Sequence, residues 1–183
     1  MGRFNLGRKM LSILERRGFE VDSSICPMHR YYGGPDHLSA RTDPYFPDPS
    51  DPCVPGNSRV LEAPLTVLPL TPGLGRALQR WTRQGQTLAR GVAWFAMNLG
   101  SLPAQPAWTG LRQLKAAVRM HHSRGGRVLT IFFHSSELLP GASPAHRTQE
   151  ELDRFLNKLQ SFFAWLHAST KVESVILSEL GRL

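Results

Sequence analysis

A chain of 183 residues, 41% hydrophobic and 20% charged, is long and apolar enough to build a core, which excludes wholesale disorder and leaves one domain or a large piece of a bigger one. Lys and Arg total 22 against 14 Asp and Glu, a formal charge of +8, and such an excess favours polyanionic partners. The basic residues are scattered from Arg3 to Arg182 with no run of four, so a solvated basic surface is the default and no specific nucleic-acid function is expected.

The first predicted element is a helix over residues 5–17. Leu6, Met10, Leu11 and Leu14 recur at three- and four-residue spacing, Arg8, Lys9, Arg16 and Arg17 fill the other faces, and Gly18 stops it. Phe19 to Asp22 reads as a short strand. Residues 23–58 hold seven prolines and four Asp, which predicts a long irregular loop. Its aromatics (Tyr31, Tyr32, Tyr45, Phe46) argue against disorder. A β segment follows from Val60 to Leu70, with Pro64 marking an edge or a bulge.

After the turn Thr71-Pro72-Gly73, a long helix is predicted from Leu74 to Met97, with Leu74, Leu78 and Trp81 on one face and Arg76, Arg80 and Arg83 on the other. The pattern suits a helix covering a barrel, and also one lying on a membrane surface. A Pro-containing link over residues 102–108 leads to a helix at 110–122, and Gly125-Gly126 turns into a strand from Arg127 to Phe133. Thr148 and Glu151 form the signature of a capped helix start, ahead of an apolar face at Leu152, Phe155, Leu156, Leu159, Phe163 and Leu166. A last strand is expected at Val172 to Leu177. Helix and strand alternate, which argues for an α/β fold with parallel strands. At most four strands is a small sheet for this length.

Cys26 and Cys53 can pair only if the loop folds back, and two free thiols in a reducing compartment are the expectation. The basic start is not followed by an apolar core of roughly 7–15 residues, as a signal peptide requires. The longest apolar stretch, Gly91 to Leu102, is too short to cross a bilayer. A soluble, cytoplasmic chain without a transmembrane segment is therefore expected.

Asp22 and His134 are the informative pair. Each falls at or just after the C-terminal end of a predicted strand, the edge where α/β folds build their sites. Singly, each has a structural reading: an Asp after a strand caps the next turn, and a His after Leu-Thr-Ile-Phe-Phe can be a hydrogen-bonded core residue. Both on one edge favours function. His121-His122 closes a helix, where an imidazole complements the helix dipole, and Asp48 and Asp51 sit in a Pro-rich loop unsuited to a rigid metal site.

Several segments together resemble a known family. Phe133-His134-Ser135-Ser136-Glu137-Leu138-Leu139-Pro140-Gly141 is similar to the late histidine motif of polysaccharide deacetylases of the NodB-homology type, and the capped helix from Thr148 follows it as there. Near the front, Gly2-Arg3-Phe4 and then Gly18-Phe19-Glu20-Val21-Asp22-Ser23-Ser24 resemble the family's third motif and its following Asp strand. Tyr32-Gly33-Gly34-Pro35-Asp36 and Leu61-Glu62-Ala63-Pro64-Leu65 look like further landmarks in the same order.

The resemblance implies a distorted (β/α) barrel and metal-dependent hydrolysis of N-acetyl groups on a glycan, with zinc or another divalent ion polarising the carbonyl. Carried over, His134 matches the general acid that protonates the departing amine, and Asp22 the Asp that orients neighbouring groups. Tyr31, Tyr32 and Glu137 are candidate substrate-binding residues. Glu137 either holds the loop after His134 or is an exposed carboxylate.

The chain departs from the pattern at the metal. It contains no strand ending in two adjacent Asp and no pair of His spaced H-x-x-x-H. The expectation is thus an incomplete barrel spanning residues 1–183, inactive as this chain, with no metal ligands assigned. Three accounts fit: a reading frame begun at an internal Met, a truncated remnant, or a shortened non-catalytic homologue gripping sugar through Tyr31, Tyr32 and Trp108. The competing class is a basic binding module whose helix 74–97 docks on an anionic membrane or nucleic acid.

Overall fold

A computed structural model describes residues 6–30, 35–83, 99–107 and 109–182. Helix α1 (Arg8–Arg16) buries Leu11 and is followed by β1 (Val21–Asp22). The Pro-rich segment holds a hairpin of β2 (Pro47–Asp48) and β3 (Asp51–Pro55). Next come β4 (Leu61–Glu62), β5 (Val67–Pro69), α2 (Leu74–Arg83) and β6 (Ser101–Pro103). Helix α3 (Leu111–Ser123), a 3-10 turn at Ser135–Leu138, helix α4 (Gln149–Ser169) and a 3-10 turn at Leu177–Arg182 complete the order.

The strands form three small pairs rather than one parallel sheet. β1 and β4 pair in parallel, with Val21 opposite Leu61 and Asp22 opposite Glu62. β5 and β6 pair antiparallel, Val67 opposite Pro103 and Pro69 opposite Ser101. The sequence reading took 102–108 as a bare link, because Pro103 and Pro106 interrupt any strand pattern. It missed β6, which is only three residues long.

Two predicted strands do not form. Residues 127–133 and 172–177 lie outside every ladder among the described residues. Residues 127–133 pack against β5 through Leu129, Ile131 and Phe132, and hydrogen-bond to Thr66 at Thr130, whose carbonyl accepts from Thr66 N–H (3.0 Å) and whose N–H donates to Thr66 Oγ1 (2.9 Å). The physical reason is the lack of a neighbour: an apolar β pattern becomes a strand only when another backbone supplies the complementary donors and acceptors. Ile176, meant for a closing strand, is 64% exposed.

The predicted loop 23–58 is irregular yet well packed. Ile25 and Tyr45 join Leu6, Leu11 and Val60 in one apolar cluster beneath α1. Cys26, Met28 and Leu38 join Leu65, Val67 and Leu78 in a second, against which Phe132 packs. A third cluster clasps α3 to α4 through Leu114, Val118, Phe162 and Leu166. Full burial of a side chain such as Phe162 contributes about 1.5–3 kcal/mol, so this clasp outweighs any single surface contact. The α4 start has the expected cap: Glu151 N–H donates to Thr148 Oγ1 (3.2 Å), and Thr148 N–H donates to Glu151 Oε2 (3.2 Å). The predicted helix 74–97 is described only through Arg83. No helix among the described residues is long and apolar enough to cross a membrane.

Gly75, at the start of α2, shows how tightly the loop is seated. A Cβ there would run into the Leu38 carbonyl, a backbone group that cannot swing aside. Gly75→Ala is expected to cost about 1–3 kcal/mol by overpacking. Gly7→Ala, where a Cβ meets nothing within 4 Å, should stay within about 0.5 kcal/mol of the parent. Denaturant midpoints of the two variants test the contrast.

Candidate functional site

The Asp22 edge is built by short-range geometry around a parallel strand pair. Leu61 N–H donates to the Glu20 carbonyl and Ala63 N–H to the Asp22 carbonyl, both at 2.8 Å, which sets Asp22 beside Glu62. On its other flank Glu62 exchanges two backbone hydrogen bonds with Tyr45, at 3.0 and 2.9 Å. Glu62 therefore sits between Asp22 on β1 and the isolated bridge to Tyr45, and is 0% exposed.

The turn after β1 folds back over this pair. Ser23 Oγ donates to the Ala63 carbonyl (2.7 Å), Ser24 Oγ donates to Asp22 Oδ1 (3.0 Å), and Ile25 N–H donates to Glu62 Oε1 (2.9 Å). One oxygen of each carboxyl group is thus satisfied. The others, Asp22 Oδ2 and Glu62 Oε2, are buried and receive no donor from any other residue. Burial, with the Asp22 charge adding, pushes the Glu62 carboxyl well above its ordinary value.

His37 lies behind this edge and is fully buried. Cys26 N–H donates to its Nδ1 (3.4 Å), which leaves the proton on Nε2, facing the Leu6 carbonyl at 3.0 Å. Burial lowers its pKa from 6.5, opposed by the Leu6 carbonyl and the charges of Asp36, Asp22 and Asp51. Met28, between these groups, holds a positive φ of 59° while buried, a strained backbone for a residue with a Cβ.

The His134 edge has a different support. His134 is exposed, and its N–H donates to Glu137 Oε2 (3.1 Å). Glu137 is itself buried, which decides between its two sequence readings: it holds the loop after His134 and does not face solvent. Its carbonyl accepts from His146 Nδ1 (2.9 Å), and the His146 ring lies 4.4 Å from that of Phe155 on α4. Phe132 meets the His134 ring edge-on, 6.1 Å between centroids. The backbone at His134 is thus fixed by a chain running through Glu137 and His146 to a capped helix.

Asp22 and His134 do not touch: no hydrogen bond or ion pair joins them. They are linked through packing, because Cys26, four residues after Asp22, and Phe132, two before His134, share one apolar cluster. Tyr31, Tyr32 and Trp108 lie outside the described residues. Glu62, His37 and His146 were not singled out from the sequence as site residues. Only Glu62 left a trace there, as part of the Leu61-Glu62-Ala63-Pro64-Leu65 landmark.

The other polar sequence candidates have structural roles. Asp48 Oδ1 accepts from Ser50 N–H (2.7 Å) and Asp51 N–H (3.3 Å), which closes the β2–β3 turn. His121 is buried under the Gly125-Gly126 turn, its Nε2 2.9 Å from the Val128 carbonyl and 3.5 Å from Asp43 Oδ1. A Cβ on Gly126 would collide with that ring. Cys26 and Cys53 are separate buried thiols, and Cys53 Sγ lies 3.1 Å from the Asp36 carbonyl.

The divalent ion implied by the resemblance does not fit these residues. Among the described residues no three His, Cys, Asp or Glu side chains converge as ligands. Glu62 presents Oε1 to Ile25 N–H, and its side chain belongs to no cluster of three ligating groups among the described residues. No protein-family model, curated protein or solved structure matches the chain.

Two outcomes follow from these supports. Glu137→Ala removes the acceptor of a partly buried N–H and should cost about 1–3 kcal/mol in chemical denaturation, with a shift of the His134 imidazole resonances. His37 is neutral when folded, while in the unfolded chain it takes up a proton below 6.5, so its contribution is intact above that pH and lost as pH falls. His37→Gln, which keeps a donor and an acceptor, should lose stability less steeply than the parent between about pH 6.5 and pH 5.

Proposed function

We propose that this chain is part of a polysaccharide deacetylase-like barrel whose full form hydrolyses N-acetyl groups on a glycan, and that the 183 residues alone do not perform the reaction. The observation that carries the reading is the convergence of the Asp22 edge, which follows β1, and the segment leading to His134 on one apolar cluster, in the order the resemblance implies. His134, exposed with a fixed backbone, suits a group that hands a proton to a departing sugar amine. Asp22 suits a group that orients its neighbours. Supporting incompleteness, the apolar segments 127–133 and 172–177 have no ladder partners among the described residues, as expected of a barrel whose adjoining strands are elsewhere. The basic-module alternative draws less support, since Arg76 and Arg80 face solvent as on any amphipathic helix.

Incubated with zinc and acetylated chito-oligosaccharides, the purified chain is expected to bind no stoichiometric metal and to release no acetate above a blank. Zinc-dependent release abolished by His134→Ala would overturn the inactive assignment. The coding DNA preceding Met1 tests the family reading: in-frame codons for an Asp-Asp strand end and an H-x-x-x-H segment are expected. A stop codon with neither would sink it.

A further inference from the structure

We propose that Glu62 is carried as a neutral acid that shares a single proton with Asp22, and that this proton is a latch positioning Asp22 and the Ser23–Ile25 turn. The geometry leaves few other arrangements. The two residues are Cα partners on adjacent parallel strands, so their side chains leave the sheet on the same side. Neither carboxyl group takes part in an ion pair among the described residues. Ser24 and Ile25 satisfy Asp22 Oδ1 and Glu62 Oε1, and the two remaining oxygens have no donor except a proton held between them. With Asp22 Oδ2 and Glu62 Oε2 both buried on paired positions, ionising both groups is unfavourable, which is the physics of paired acids that hold one proton between them. Glu62 is the natural holder, being fully buried while Asp22 is half-exposed.

Among the described residues no cationic side chain forms an ion pair with either carboxyl group. Tyr45 flanks Glu62 with its phenol pushed up by burial and by Cys53, Glu62 and Asp51, opposed by Arg41. His37 faces Asp22 from the loop and stays neutral at neutral pH, its two nitrogens engaged by Cys26 N–H and the Leu6 carbonyl. The C-terminal turn packs on β1 and carries Arg182 and Glu179, the Oε2 of the latter accepting from Ile176 N–H (3.1 Å). The latch is closed while the proton is held. When it is lost, two anions face each other and the turn over them is pushed open.

The pairing needs no deacetylase chemistry, although the orienting role of Asp22 rests on the proposed function; failure of one is therefore distinguishable from failure of the other. Above the ordinary glutamic acid value of 4.5, the folded chain retains a proton that the unfolded chain has released, so raising the pH favours unfolding until the folded pair also ionises. For one proton, the folding equilibrium constant falls roughly tenfold per pH unit over that window.

The test is the folding equilibrium of the full chain from acid to mildly alkaline pH, parent against Glu62→Gln. The amide reproduces the neutral acid: its oxygen accepts from Ile25 N–H and its NH2 donates to Asp22, with nothing to titrate. The variant is expected to lose this component of the pH slope and to be the more stable chain on the alkaline side. The infrared band of a buried protonated carboxyl, present in the parent at neutral pH, should vanish with it. Identical slopes in parent and variant, no such band in the parent, a parent with no cooperative transition at mildly acidic pH, or a Glu62→Gln chain that fails to fold where the parent folds would each overturn the proposal.

Discussion

Asp22 and Glu62 face each other across two adjacent parallel strands, and the surroundings satisfy only one oxygen of each carboxyl group. A buried carboxylate without a counter-charge is costly enough that the group protonates instead. That constraint organises the neighbourhood. Ser23 and Ser24 bond to Ala63 and Asp22, Ile25 N–H reaches Glu62, and the chain then enters the apolar cluster through Cys26. Ile25 also joins the cluster beneath α1, so the carboxyl pair, the turn and the first helix form one cooperative unit.

The His134 edge achieves rigidity by another route. Its support is a relay of satisfied polar groups, from His134 N–H to Glu137, from the Glu137 carbonyl to His146, and from the His146 ring to Phe155 on α4. Helix α4 is anchored by its cap and by the Phe162 and Leu166 packing on α3. A side chain can stay exposed and still be well placed when its backbone is held this way. The imidazole of His134 has that arrangement, with solvent on one side and Phe132 on another.

Among the described residues the strands form three pairs of two, and the apolar segments at 127–133 and 172–177 lie outside every ladder. Exposed Phe133, Ile176 and Leu177 are a consequence. Two-stranded pairs are marginal by themselves, so the fold leans on the α3–α4 clasp and on the packed Pro-rich segment.

The helices were legible in the sequence because the forces that define them are local. Three- and four-residue periodicity placed α1, α3 and α4 within a few residues, and the Thr148–Glu151 cap marked the start of α4. Asp22 was legible as the end of β1, whereas the strand expected before His134 does not form. Strand pairing was not, because a strand is completed by residues far away in the chain: Val21 finds Leu61, and Val67 finds Pro103. The segments at 127–133 and 172–177 had the composition of strands and lacked only the neighbour. Likewise, Glu62 in the sequence is one carboxylate among many. Forty residues from Asp22, it becomes that residue's partner only when parallel pairing brings the two into register, and burial then decides that they share a proton.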